Sequence, residues 1–269
     1  MSKILITGGT GVLGRAISEI FRSNQTNFIV GSRNQNTKTY NNMNFNSNLD
    51  SKWVYLDLLK NEGFNKCLDN DIDTILHIAT VNMQKINGQP GDIILTKNLL
   101  NFIEKKNIKH FVYISVVGID KIPFSYYKGK LECEHLIKTS SIPYTILRST
   151  NFHDFVDAAV SEFLQRPIRI IPKSLKAQPI QVEAVAMELN KIIQGSPLNT
   201  TYDIGGKSVY NMKEILDSLM KAHHENKLVI NMPAMGKILK GFAKGYNTCN
   251  NIQLSSNTWE EYLSKKYHQ

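Results

Sequence analysis

Lys3-Ile4-Leu5-Ile6-Thr7-Gly8-Gly9-Thr10-Gly11-Val12-Leu13-Gly14 is the stretch that decides the fold of this chain. Ile4, Leu5 and Ile6 form a short unbroken apolar run, as a strand buried on both faces requires. Glycines follow in the pattern GxxGxxG at Gly8, Gly11 and Gly14, and a helical period takes over from Val12 to Asn24. Gly8 suits a tight turn, Gly11 lets backbone approach an anion, and Gly14 lets the helix sit close to the sheet. The start of the helix then offers unpaired N–H groups and the positive end of a dipole to a pyrophosphate. A strand before the glycines and a helix after them are the context that separates a dinucleotide loop from a glycine-rich turn. Gly8, Thr10, Gly11, Val12, Leu13 and Gly14 are therefore expected to cradle a dinucleotide.

Outward from this loop, apolar stretches alternate between strand-like and helix-like periods. Strands are expected at Asn27–Gly31, Trp53–Asp57, Thr74–Ile78, Phe111–Ser115 and Tyr144–Leu147, with helices near Asn61–Asn70, Asp92–Lys106 and Tyr126–Ser140. The alternation predicts a Rossmann-type, doubly wound parallel sheet with right-handed crossovers. After the second strand, where Asp or Glu would bond a ribose 2′-hydroxyl, the chain has Ser32 and Arg33. A carboxylate would repel a 2′-phosphate, whereas a guanidinium pairs with it bidentately. NADPH is thus expected in preference to NADH. Asp57 and Leu58 fall at the sheet edge where an adenine would lie, and the alternative reading of Asp57 is the cap of the next turn. Asn34–Ser51 is rich in asparagine and breaks the alternation. It reads as a long exposed loop, either tolerated drift or a cover for the adenosine.

Beyond Arg148 the texture changes. Helical segments at Phe152–Leu164, Val182–Ile193 and Met212–Ala222 are interleaved with short strands at Ile168–Ile171 and Thr201–Ile204. The expected organisation is a dinucleotide-binding domain over residues 1–150. A smaller C-terminal α/β lobe over residues 151–269 would be interleaved with it and cover a substrate cleft at the strand ends.

The chain has 269 residues, of which 42% are hydrophobic, which suits one large α/β domain or a nucleotide-binding domain with an appended part. No apolar run approaches the ~18 residues of a membrane span. The N-terminus runs straight into a strand with no apolar leader, so the expected compartment is the cytoplasm, with no membrane partner. Cys67, Cys133 and Cys249 are odd in number and far apart, and read as free thiols. The net charge is +9, but the lysines are scattered, with no basic helix and no aromatic–arginine stripe. A small-molecule substrate is expected as partner and nucleic acid is not. His223-His224 reads as a helix C-terminus, and no metal site is expected.

These residues resemble the short-chain dehydrogenase/reductase superfamily, and more closely its atypical, NmrA-like branch of NAD(P)H-binding proteins. The likeness is carried by the glycine loop, His77-Ile78-Ala79-Thr80, Val112-Tyr113-Ile114-Ser115, Tyr126-Tyr127-Lys128-Gly129-Lys130, and Thr145-Ile146-Leu147-Arg148-Ser149-Thr150-Asn151-Phe152-His153. Later come Tyr202-Asp203-Ile204-Gly205-Gly206 and Thr258-Trp259-Glu260-Glu261-Tyr262-Leu263. The resemblance implies that Ala79 and Thr80 border the cofactor. It also implies that Tyr126 and Lys130, four apart on one helix, are the YxxxK pair. Lys130 would bond the nicotinamide ribose and lower the phenol's pKa, and Tyr126 would give a proton to a carbonyl oxygen. Members of the superfamily usually hold the substrate carbonyl with a Ser or Thr just past the fifth strand; Ser115 is either that residue or a lining of the cofactor pocket, and it is followed by Val116 and Val117, where a second hydroxyl is often found. Arg148 and His153 fall at the implied substrate cleft, where each either orients an anionic or quinone-like substrate or satisfies backbone carbonyls. The activity implied is NADPH-dependent reduction of a small carbonyl or quinone, and the alternative is an NADPH-binding sensor that does no chemistry.

Overall fold

The computed structural model describes residues 3–35, 52–67, 72–250, 254 and 257–267. In chain order its elements are β1 (Lys3–Thr7), α1 (Val12–Ser23), β2 (Phe28–Ser32), β3 (Trp53–Tyr55), α2 (Phe64–Cys67) and β4 (Ile72–His77). Next come β5 (Lys85–Ile86), β6 (Gln89–Pro90), α3 (Gly91–Ile103), β7 (His110–Val116), α4 (Ser125–Thr139), β8 (Tyr144–Ser149) and α5 (His153–Leu164). The remainder are β9 (Ile170–Ile171), β10 (Lys176–Ala177), α6 (Val182–Gln194), β11 (Thr200–Ile204), β12 (Tyr210–Asn211), α7 (Met212–Ala222), β13 (Ile230–Asn231), α8 (Gly236–Ala243) and α9 (Trp259–Tyr267).

Seven strands form one sheet in the order β11-β8-β7-β4-β1-β2-β3. β1 pairs in parallel with β2 and β4, β2 with β3, and β4 with β7. Phe111 N–H donates to Pro143 O and Val117 N–H to Ser149 O, an equal offset at both ends that makes β7 and β8 parallel. This is the doubly wound Rossmann sheet that the alternation predicts, and its strand order reverses direction at β1, the switch point where ligands bind. Ile4, Leu5 and Ile6 are almost wholly buried, as befits a central parallel strand with both faces covered.

The third strand is shorter than expected because Asp57 turns the chain. Its Oδ1 accepts from the backbone N–H of Leu59 (2.9 Å) and Lys60 (3.2 Å), an Asx-type turn that competes with strand pairing. The helix expected near Asn61–Asn70 is described only as α2, since residues 68–71 lie outside the described residues. The expected loop over Asn34–Ser51 likewise lies almost wholly outside them. The strand expected at Ile168–Ile171 is confined to β9, because the Arg169 side chain folds back to donate to Leu164 O and Pro167 O. The β5–β6 hairpin, β10, β12, β13, α8 and α9 are additions that periodicity did not announce.

Two compact units divide the chain. The first comprises Met1–Ser115, Lys128–Leu147 and Val185–Tyr202, and the second Val116–Tyr127, Arg148–Ala184 and Asp203–Gln269. The first unit has its own core, in which Leu5, Ile75, Leu99, Ile103, Phe111, Ile137 and Ile146 are fully buried. In the second, α5, α7 and α9 pack Val156, Leu164, Ile215, Leu219, Trp259 and Leu263 together. α7 opens on a capping box of Asn211 and Glu214, which satisfies two N-terminal donors reciprocally. All three cysteines are buried thiols outside any disulfide.

Candidate functional site: a glycine loop and a buried lysine–aspartate pair

The phosphate loop belongs to the first unit. Gly8 has φ +75, and a Cβ there would lie 2.6 Å from Ala79 Cα. At Gly14 a Cβ would lie 2.4 Å from Gly9 Cα. Both glycines are thus required by the protein's own backbone. Gly11 differs, for among the described residues a Cβ there would meet only the Gly8 carbonyl oxygen, at 3.4 Å. Packing within the protein does not demand a glycine at this exposed position, whereas close approach of a phosphate does. Gly11 caps α1 with extended backbone (φ −74, ψ 175), no side chain caps the helix, and its first turn has no acidic residue. The helix therefore presents open N–H donors and an unopposed positive dipole, and these residues fit a dinucleotide pyrophosphate.

Around this loop the other expected cofactor residues take different roles. The Thr10 carbonyl accepts from Arg15 Nε at 2.9 Å. The Leu13 and Leu58 side chains are buried in the core, Val12 is half-buried, and Leu58 O accepts from Asn98 at 2.7 Å. Arg33 is exposed at the end of β2. Its neighbour Ser32 donates to Asn34 O (2.7 Å) and accepts from Trp53 Nε1 (2.8 Å). Asp57 is committed through Oδ1 to the turn already described.

After β4 the chain enters a hydrogen-bonded assembly that sequence reasoning did not find. Its hub is Asp92, buried in the first turn of α3. The carboxylate accepts from the Thr80 hydroxyl (2.9 Å to Oδ2) and from the Val81 N–H (2.8 Å to Oδ1). It also pairs with the Lys130 ammonium, 3.1 Å from Oδ2, the two side chains being only 5% and 4% exposed. Lys130 Nζ stands 5.1 Å from the Tyr113 ring centroid. The Thr96 hydroxyl donates to Asp92 O, so it accepts from His77 Nε2 at 3.2 Å, which leaves Nδ1 to accept from the Thr7 hydroxyl at 2.7 Å. The end of β1 is thereby tied through His77 and Thr96 to the helix that bears Asp92. Burial, helped by the Lys130 charge, pushes His77 down to about 3, and the imidazole is neutral. Burial likewise pushes the Tyr113 phenol and the Cys133 thiol up. An aspartate in a helix's first turn reads by itself as a dipole partner. Nothing in the spacing of Asp92 and Lys130 announces that they meet.

α4 carries both members of the expected catalytic pair, Tyr126 in the second unit and Lys130 in the first. Tyr126 is half-buried against the cluster of Ile119, Ile122 and Tyr127. Among the described residues the Ser115 hydroxyl is buried with no hydrogen-bond partner. Arg148 pairs with Asp120 at 3.4 Å. His153 is buried at the start of α5, its ring stacked on Tyr262 at 5.0 Å and its two nitrogens without partners among the described residues. Burial pushes it down to about 4. Among the described residues no group of three or more His, Cys, Asp or Glu side chains could hold a metal ion, and no helix is long and apolar enough to cross a membrane.

Comparison with known proteins bears on the family and the fold. The profile of a family described as NAD(P)H-binding matches residues 8–194. A protein of Dictyostelium discoideum, prestalk A differentiation protein A, is 26% identical over 226 residues, covering 81% of this chain and 68% of that protein. The NADPH-dependent quinone oxidoreductase of Escherichia coli, solved with NADPH, superposes with a TM-score of 0.77 at 18% identity over 98% of this chain and 99% of that one. A nucleoside-diphosphate-sugar epimerase from Staphylococcus aureus gives 0.74 at 20% identity over 98% and 99%. The Thermus thermophilus UDP-glucose 4-epimerase, in complex with NAD, gives 0.72 at 16% over 96% of each chain. At these identities the structural likeness speaks for the fold.

Proposed function

The chain belongs to the NAD(P)H-binding family, and from that premise we propose that it is an NADPH-dependent reductase of a small carbonyl or quinone, of the atypical short-chain dehydrogenase/reductase type. The observation that carries the reading is α4, which bears Tyr126 and Lys130 one helical turn apart, with the lysine anchored in the assembly that follows β4. NADPH, when bound, supplies hydride. The phenol of Tyr126 gives its proton to the carbonyl oxygen. Lys130 holds the nicotinamide ribose, and the unpartnered Ser115 hydroxyl is the available donor for the substrate oxygen. Arg33, exposed past β2 with Ser32 and Asn34 in place of a carboxylate, takes the 2′-phosphate. Arg148 and His153 remain candidate substrate residues. The cytoplasm is the proposed compartment, in keeping with three buried thiols left unbridged, and the partner is a small molecule.

A second reading, a non-catalytic NADPH sensor of NmrA type, is favoured by Val116 and Val117, which follow Ser115 where a second polarising hydroxyl would be useful. One experiment separates the two. NADPH consumption is followed against quinones, aldehydes and ketones, after NADPH binding has been established by titration. Tyr126→Phe keeps the ring and removes the acid, so turnover should fall by roughly 10²- to 10⁴-fold with little change in NADPH affinity. A wild-type protein that binds NADPH but consumes it no faster than buffer across the panel, with Tyr126→Phe indistinguishable from it, rejects the reductase in favour of the sensor.

A further inference from the structure

We infer that Asp92 is a positioning residue for Lys130, and that it keeps the buried lysine charged and aimed as a donor to the cofactor. The inference rests on the assignment of Lys130 to the cofactor ribose. Three observations support it. First, the ammonium is 5% exposed and 3.1 Å from the carboxylate, so water contributes little to its charge. A lysine buried this way without a counter-ion surrenders its proton toward neutral pH. Second, three titratable groups whose fields couple to it carry no negative charge of their own. From β7, Tyr113 offers a phenol that burial holds protonated. From β4, His77 is a neutral ring. From α4 itself, Cys133 has a thiol that burial holds protonated. Third, Asp92 binds Thr80 and Val81 on the segment that runs on from Ala79, against which the phosphate-loop Gly8 packs. One carboxylate therefore fixes the segment beside the loop and the lysine in a single frame.

The pair is also an electrical device. The carboxylate cancels much of the field that the ammonium would otherwise exert on its surroundings. Lys130 then acts mainly through its N–H donors, which a neutral amine aims poorly and a charged one aims well. Asp92→Asn keeps an oxygen for the Val81 N–H but removes the charge, and it separates a positioning role from a merely structural one through pH.

The test measures NADPH dissociation constants of the whole protein between about pH 7 and pH 9, below the ordinary lysine range. Wild type should change little over that interval. Asp92→Asn should weaken about tenfold or more as the lysine loses its proton, which is one full charge-assisted bond lost. Lys130→Met should be weaker than wild type and flat with pH. The double variant Asp92→Asn/Lys130→Met, which leaves no unpaired charge, should fold, bind like Lys130→Met and show no slope. If Asp92→Asn fails to fold while the double variant folds, the lysine is what needed Asp92, and the inference stands. If neither folds, Asp92 serves the Thr80–Val81 segment and the inference is overturned. An Asp92→Asn curve parallel to wild type, with Lys130→Met weakened, overturns this inference alone. Lys130→Met that binds NADPH as tightly as wild type overturns the ribose assignment, and the inference with it.

Discussion

Arg33 shows how much one side chain can decide. It stands exposed at the end of β2, and the neighbouring Ser32 hydroxyl is already shared between Asn34 O and Trp53. In the proposed reading it is the guanidinium that meets the 2′-phosphate. Losing one charge-assisted bond costs about 1.5–3 kcal/mol, so Arg33→Ala should weaken NADPH roughly 10- to 150-fold and leave NADH nearly unchanged. Titrating both cofactors into both proteins checks this, and equal losses for the two would refute it. The role proposed for Arg33 is one that sequence can suggest, because it depends only on position at the end of a strand. Asp57 was legible only in part. The open choice between adenine contact and turn cap is answered on one side by its Oδ1, which caps the turn.

The phosphate loop is the element where local sequence and function coincide most closely, yet its glycines do unlike work. Gly8→Ala would force a side chain into left-handed backbone and against Ala79 Cα, and should destabilise the protein by roughly 1–3 kcal/mol. Gly11→Val meets no such wall, since its φ is ordinary and the nearest atom is Gly8 O at 3.4 Å. It should cost about 1 kcal/mol, the usual worth of a poorer N-cap, while abolishing binding of both NADPH and NADH. Thermal melts with calorimetric titration of the two variants test the contrast. Retained micromolar binding by Gly11→Val would show that the loop is not the cradle. The element boundaries were readable to within a residue or two wherever one period ran unbroken, as in α1 and α7. The short strands β10, β12 and β13 were not, because two residues hold no period.

At the scale of the whole molecule, acid should loosen both units, and the sign follows from buried histidines. Burial pushes His77 down to about 3 and His110 to about 4 in the first unit, and His153 to about 4 in the second. Each is neutral when folded but takes a proton near its ordinary value when unfolded. Between that value and the folded one the unfolded chain holds more protons, so stability falls as pH falls. Each histidine should cost on the order of 3 kcal/mol by about pH 4. Asp157 adds to this in the second unit. Burial would raise its carboxyl, but hydrogen bonds from Lys266, Tyr267 and Tyr262 hold it below the usual carboxylate value. Its contribution is present above the ordinary carboxylate value and is lost as pH falls from there through its lowered folded value, below the interval in which His153 acts. Urea midpoints should therefore drop steadily from about pH 7 to about pH 4.5. The two tryptophans report on the units separately, Trp53 on the first and Trp259 on the second. A midpoint that stays constant over this interval would refute the account.

By itself the sequence determined what contiguous residues can express: a buried strand, a glycine loop, a helix that starts on it, the alternation that makes a parallel sheet, and a strand end without a carboxylate. Each rests on backbone sterics or on a period of two or 3.6 residues, and needs no distant partner. Tertiary structure alone decided which side chains meet. Asp92 reaches Lys130, Arg148 turns to Asp120, His153 lies under Tyr262, and Asp157 gathers three side chains from α9. These partners lie far apart in the chain and come together through strand order and helix packing, for which no local period exists. Their energies also depend on burial, since the same lysine and aspartate on an open surface would contribute almost nothing to each other.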